Sequence, residues 1–157
     1  VFIDDASRNI IAGDEYDNAF ENYSIDIIKQ AIKTANKKYS SVIREINTDK
    51  GAQFYANKKD SEGEKGKTDF ELFLEKQNIK HIPSRRNHPQ TNGKNERWFR
   101  TYEENRMKFK TFKEFIDWYN NKIHLGLSRK EGITPNEAIG FKLQPEAILG
   151  LFFRRFS

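Results

Sequence analysis

Cysteine is absent from the 157 residues, and histidine occurs only three times. Without cysteine there is no disulfide and no Cys-containing zinc site, and a reducing compartment is permitted. His81, His88 and His124 cannot by themselves make a His/Cys zinc module. No stretch approaches the roughly 18 consecutive apolar residues that a membrane-spanning helix requires. The opening residues do not read as a signal peptide, because Asp4 and Asp5 interrupt the apolar run that one needs. Internal repeats and low-complexity segments are also missing. The length matches one domain with room for a core.

What is present is charge, unevenly placed. The net is +5. Residues 1–57 hold 7 Lys and Arg against 9 Asp and Glu, and residues 58–79 hold 5 against 6. Residues 80–130 hold 13 against 5, whereas 131–157 balance at 3 against 3. The positive excess thus sits in one segment, the footprint expected of a phosphate-backbone partner.

The pattern of apolar and breaker residues predicts an α/β domain of order ββαβ-αβ-αα, with a mixed sheet covered by helices. Phe2-Ile3 and Ile10–Tyr16 read as a hairpin around an Asp/Ser turn. Ser24 is the expected N-cap of a helix to about Lys38, with Ile25, Ile28 and Ile32 on one face. Val42–Asn47 alternates as a strand and delivers Asp49 to its end. Lys58–Lys67 is a charged, glycine-containing loop. Phe70–Gln77 reads as a short helix, and Ile79–Ile82 as a strand stopped by Pro83. A helix is expected from about Asn92 to Lys108, with Trp98, Phe99 and Tyr102 as core packing. Thr111–Glu114 and Thr134–Glu137 are capping boxes, the second with Pro135 at the first helical position. Phe112, Phe115, Ile116, Tyr119 and Ile123 form one stripe.

Two acids stand out. Asp49 ends a strand, and Glu96 opens a helix among Lys94, Arg97 and Arg100. Carboxylates among cations suit a divalent metal placed where phosphate must also come. Hard-oxygen donors are what Mg²⁺ or Mn²⁺ prefers, and paired ions can charge-compensate both oxygens of a phosphoryl transfer. Plainer readings exist. Asp49 before Gly51 can be an Asx turn. Glu96 can be a first-turn acid favoured by the helix dipole, and the cations can be a solvated helix face. Arg100 shares the face of Glu96 four residues earlier. Between Lys80 and Arg100, Glu96 is the one acid against six Lys and Arg. Asn92 and Gly93 form either a turn at the helix entry or a loop beside a substrate.

The segments Asn47-Thr48-Asp49-Lys50-Gly51-Ala52-Gln53-Phe54 and His88-Pro89-Gln90-Thr91-Asn92-Gly93-Lys94-Asn95-Glu96-Arg97 decide among these. Together with Asp4-Asp5-Ala6-Ser7-Arg8, Trp118-Tyr119-Asn120-Asn121 and Thr134-Pro135-Asn136-Glu137-Ala138, they resemble the retroviral-integrase-like catalytic core of insertion-element transposases. The resemblance implies an RNase H-like fold and metal-dependent cleavage and strand transfer of DNA. It implies a site of two acids of Asp type and one Glu, holding two Mg²⁺ or Mn²⁺ ions, with Asp49 matching the second acid and Glu96 the third. Lys94, Arg97 and Arg100 would contact DNA, and Asn92 and Gly93 would shape the loop at the scissile phosphate. The implied partners are double-stranded DNA, as element ends and target, and further copies of the same chain. The implied location is cytoplasmic and nucleoid-associated, with no membrane.

The resemblance also implies a departure. The strand carrying the first acid, central in the sheet, has no counterpart in the sequence, so two strand edges are expected to face each other across a gap. Either the chain is a fragment, or it is a decayed copy that survives as an inactive DNA-binding remnant. Asp5 reads as a turn residue capping backbone N–H groups. The 46 residues between Asp49 and Glu96 exceed the family's usual spacing, and the loop at 58–67 absorbs the excess. Residues 1–128 are read as the partial core and 129–157 as an extension with a short capped helix.

Overall fold

The computed structural model describes residues 1–17, 21–49, 51–56, 66–83, 89–128 and 132–141, and for 21 and 89–95 the backbone alone. The elements are β1 (Phe2–Ile3), β2 (Ile10–Ala12), α1 (Glu21–Tyr39), β3 (Glu45–Thr48), α2 (Asp69–Lys76), β4 (Lys80–Pro83), α3 (Pro89–Asn105) and α4 (Phe112–Asn121). A 3₁₀ turn over Arg106–Lys108 joins α3 to α4, and residues 135–141 are helical. The mixed α/β order follows the sequence reading. The loop expected at Lys58–Lys67 and the residue His88 lie outside the described residues, save 66 and 67.

The strands form two separate pairs. β1 runs antiparallel to β2, with Phe2 opposite Ala12 and Ile3 opposite Ile10. β3 runs parallel to β4, in register from Glu45 opposite Lys80 to Thr48 opposite Pro83. No ladder joins the pairs among the described strands. Each has its own core. Ile10, Trp98, Phe112, Phe115 and Tyr119 pack under β1–β2, with Ile3 against them. Ile28, Ile46, Phe70, Leu74 and Ile79 pack under β3–β4, with Phe2 against them.

The hairpin turn is held by Asp4. Its Oδ2 accepts from the Ser7 N–H at 2.7 Å and the Ser7 hydroxyl at 2.6 Å. Asp5, the acid expected to cap this turn, pairs with Arg8 at 3.2 Å, and the acid bonded to the Ser7 N–H is Asp4. Arg8 takes φ of 63°, a left-handed conformation uncommon outside glycine.

Several boundaries move. α1 begins at Glu21 rather than at Ser24, and Tyr23 in its first turn stacks on Tyr16 with ring centroids 4.0 Å apart. β3 starts at Glu45, which leaves Val42 outside the strand and 65% exposed. Pro83 belongs to β4 rather than ending it; among the described strands β4 pairs only with β3, and an edge strand tolerates a missing N–H. α3 starts at Pro89, the favoured first helical residue, so Asn92 and Gly93 are helical and not an entry loop. Phe99 is exposed, unlike its neighbour Trp98. Ile123 falls beyond the end of α4 and is also exposed.

Both capping boxes are present. Thr111 and Glu114 bond reciprocally at the start of α4. Thr134 accepts from the Glu137 N–H at 3.2 Å, and Glu137 accepts from the Thr134 N–H at 2.8 Å. Pro135 is fully buried.

Candidate metal and nucleic-acid site

Between the two strand pairs lies a cavity of about 530 Å³. Val1, Phe2 and Ile3 form one side, and Asn47, Thr48 and Asp49 the other. Trp98, Phe99 and Tyr102 of α3 line it as well. The buried indole N–H of Trp98 has no acceptor among the described atoms. The strand end carrying Asp49 and the helix carrying Glu96 therefore border one space, although Glu96 itself is not among the lining residues.

Asp49 is exposed. Its Oδ1 accepts from the Gly51 N–H at 2.8 Å, the Asx geometry that a turn-forming Asp makes. The chain then turns back, with the N–H groups of Phe54 and Tyr55 donating to the Gly51 carbonyl at 2.9 and 3.1 Å. The Asx role is real and leaves the carboxylate at the surface. Glu96 is also exposed. Because α3 starts at Pro89, Glu96 stands about two turns inside the helix at 3.6 residues per turn. Dipole stabilisation fades beyond the first turn, so the macrodipole does not explain this acid.

Arg97 and Arg100 are exposed on α3. Arg97 leans toward the turn after α4, where its Nη1 lies 3.3 Å from the position of a Cβ at Gly126. Its charge, with that of Arg8, favours ionisation of Tyr119, but burial dominates and pushes that phenol up to about 12. The side chains of Lys94 and Asn92 lie outside the description. Among the described residues no three of His, Asp or Glu gather as a metal cluster, and no helix is long and apolar enough to cross a membrane.

Two polar groupings escaped the sequence reading. Glu15, in the segment between β2 and α1, receives Arg106 Nε at 2.6 Å and Nη2 at 2.7 Å, together with the Tyr102 hydroxyl. Bidentate pairing of this kind is strong and directional, and it ties the end of α3 to the cavity wall. The second links Thr48, His81 and Glu71. His81 Nε2 lies 2.8 Å from Thr48 Oγ1, and Nδ1 lies 3.8 Å from Glu71 Oε1. Glu and Thr in a capping box signal the fixed carboxylate of Glu71, but nothing in the sequence signals its reach to His81. His124 is half-buried, its Nε2 3.2 Å from the Tyr119 carbonyl, and burial lowers its pKa.

The chain is similar to the protein named "Putative integrase ORF3" of Spiroplasma virus SpV1-C74, at 34% identity over 102 residues. The match covers 64% of this chain and 28% of that protein. No protein-family model matches the chain, and no solved structure matches it.

Proposed function

We propose that the chain is part of an integrase- or transposase-type catalytic domain, RNase H-like in architecture, that cuts and joins DNA phosphodiesters with divalent metal. The observation that carries this reading is the cavity, whose walls bring the Asp49 strand end to the helix that bears Glu96. The similarity to a protein named as an integrase supports it, and DNA integration or recombination is the coarser function that similarity favours.

In this reading Asp49 and Glu96 are two of three carboxylates that hold Mg²⁺ or Mn²⁺. Exposed oxygen donors suit such hard ions. When bound, the metals offset charge on the attacking and leaving oxygens of the phosphodiester. Arg97, Arg100 and Lys94 hold the DNA backbone, while the helical Asn92 and Gly93 bring the main chain near it. A third acid would come from a strand between β1 and β3. Such a strand would pair the edges of β1 and β3 that have no partner among the described residues and would supply an acceptor for the Trp98 N–H. Element ends and target DNA would be the substrates, and further copies of the chain would complete the assembly.

Binding of the chain to a double-stranded oligonucleotide across a salt series tests the DNA contact. The slope of log K against log salt counts neutralised phosphates at about 0.9 each. Reversing Lys94, Arg97 and Arg100 together is expected to flatten that slope by two to three phosphates' worth. An unchanged slope would put the DNA on another face.

A further inference from the structure

His81 stands in β4 opposite Ile46 of β3, yet its ring reaches diagonally to Thr48, the residue before Asp49. The Thr48 hydroxyl donates its one proton to the Asp49 carbonyl at 2.8 Å. With that proton committed, the 2.8 Å contact between His81 Nε2 and Thr48 Oγ1 takes the imidazole N–H as donor. Nδ1 of the same ring faces the Glu71 carboxylate at 3.8 Å, beyond hydrogen-bond reach.

Glu71 is itself immobilised. Its Oε2 accepts from the Thr68 N–H at 3.0 Å in the α2 capping box and from the Ala56 N–H at 3.3 Å at the end of the turn that follows Asp49. The His81 ring packs edge-on against buried Phe70, with centroids 5.6 Å apart. One carboxylate and one imidazole thus brace the chain on both sides of Asp49, at Thr48 before it and at Ala56 after it.

We propose that His81 is a positioning residue for the Asp49 carboxylate, acting through the Thr48 hydroxyl. The proposal deepens the reading of Asp49 as a metal ligand and rests on it for its functional meaning. Supporting groups of this kind around a ligand typically change metal affinity 10–100-fold when removed.

The test uses the full chain and the variants His81→Ala, His81→Gln, Thr48→Val and Asp49→Asn. Two quantities are read: Mn²⁺ affinity, and the amide proton shift of Gly51, whose N–H bonds to the Asp49 carboxylate. His81→Ala is expected to weaken Mn²⁺ binding about tenfold and to move the Gly51 amide toward its random-coil shift. Thr48→Val, close in shape, should do the same. His81→Gln retains a donor and should restore both readouts. If His81→Ala does not fold, Thr48→Val and His81→Gln still decide. Native Gly51 shifts in His81→Ala or Thr48→Val, or a Gln variant as damaged as Ala, would overturn the proposal and leave His81 a packing residue. Mn²⁺ binding unchanged by Asp49→Asn would instead sink the metal reading, and the Gly51 amide would still judge the positioning.

Discussion

The side-chain amide of Asn120 pairs with both backbone groups of Ile10, accepting its N–H at 2.8 Å and donating to its carbonyl at 2.9 Å. Asn120 on α4 thereby takes the place of a neighbouring strand for β2 in the middle of a buried core. Removing it strands two backbone groups, each costing about 1–3 kcal/mol when left buried and unpaired. Asn120→Ala is therefore expected to lose about 2–4 kcal/mol of unfolding free energy in a denaturant titration. Asn121→Ala, at an exposed neighbour bonded to the Asp117 carbonyl, should lose under about 1 kcal/mol. Equal losses would mean that the Ile10 pairing is replaced by water.

The Glu15 carboxyl is held below its ordinary value of 4.5, first by the hydrogen bond from Arg106 and further by that from Tyr102, against a partial opposing effect of burial. A carboxyl that titrates lower when folded adds stability that is complete above the unfolded value. That stability fades as pH falls through the folded value. Glu137, lowered by bonds from Thr134, acts in the same window. Denaturant midpoints measured between about pH 3 and pH 6 should fall less steeply with acid in Glu15→Gln than in the parent. A parallel fall would show that the Arg106 pairing persists in the unfolded chain or contributes nothing.

Among the described residues β1 and β3 each have one strand partner, which predicts that the chain gains from a strand between them. Lengthening the polypeptide at its amino end by a segment with strand periodicity should raise the melting temperature and slow amide exchange in Phe2–Ile3 and Glu45–Thr48. Unchanged exchange at both edges would mean that the cavity between them serves another purpose.

The order of helices and strands was legible because it is written in short-range signals: the 111–114 and 134–137 capping boxes, the alternation ending at Ile46, and the spacing of Phe112, Phe115 and Tyr119. What was not legible depends on tertiary contact. Nothing local distinguishes Asp4 from Asp5 as the capping acid, since only the fold of the turn aims one at Ser7. The entry to α3 is not legible locally because Asn92 and Gly93 disfavour helix, whereas Pro89 sets the start three residues earlier. The reach from Thr48 to His81 and the pairing of Glu15 with Arg106 span 33 and 91 residues, beyond any local pattern. Asp49 and Glu96 were picked out by sequence, and the fold adds that their strand end and helix border the same cavity.

The metal reading of Asp49 and Glu96 requires that the two carboxylates share a cation. Amide spectra of the chain titrated with Mn²⁺ test it most directly, because the ion broadens signals only in its vicinity. Gly51 and the α3 amides around Glu96 are expected to broaden together, and Asp49→Asn or Glu96→Gln should each abolish both effects. Broadening at one segment alone, or broadening that survives Asp49→Asn, would contradict the metal reading.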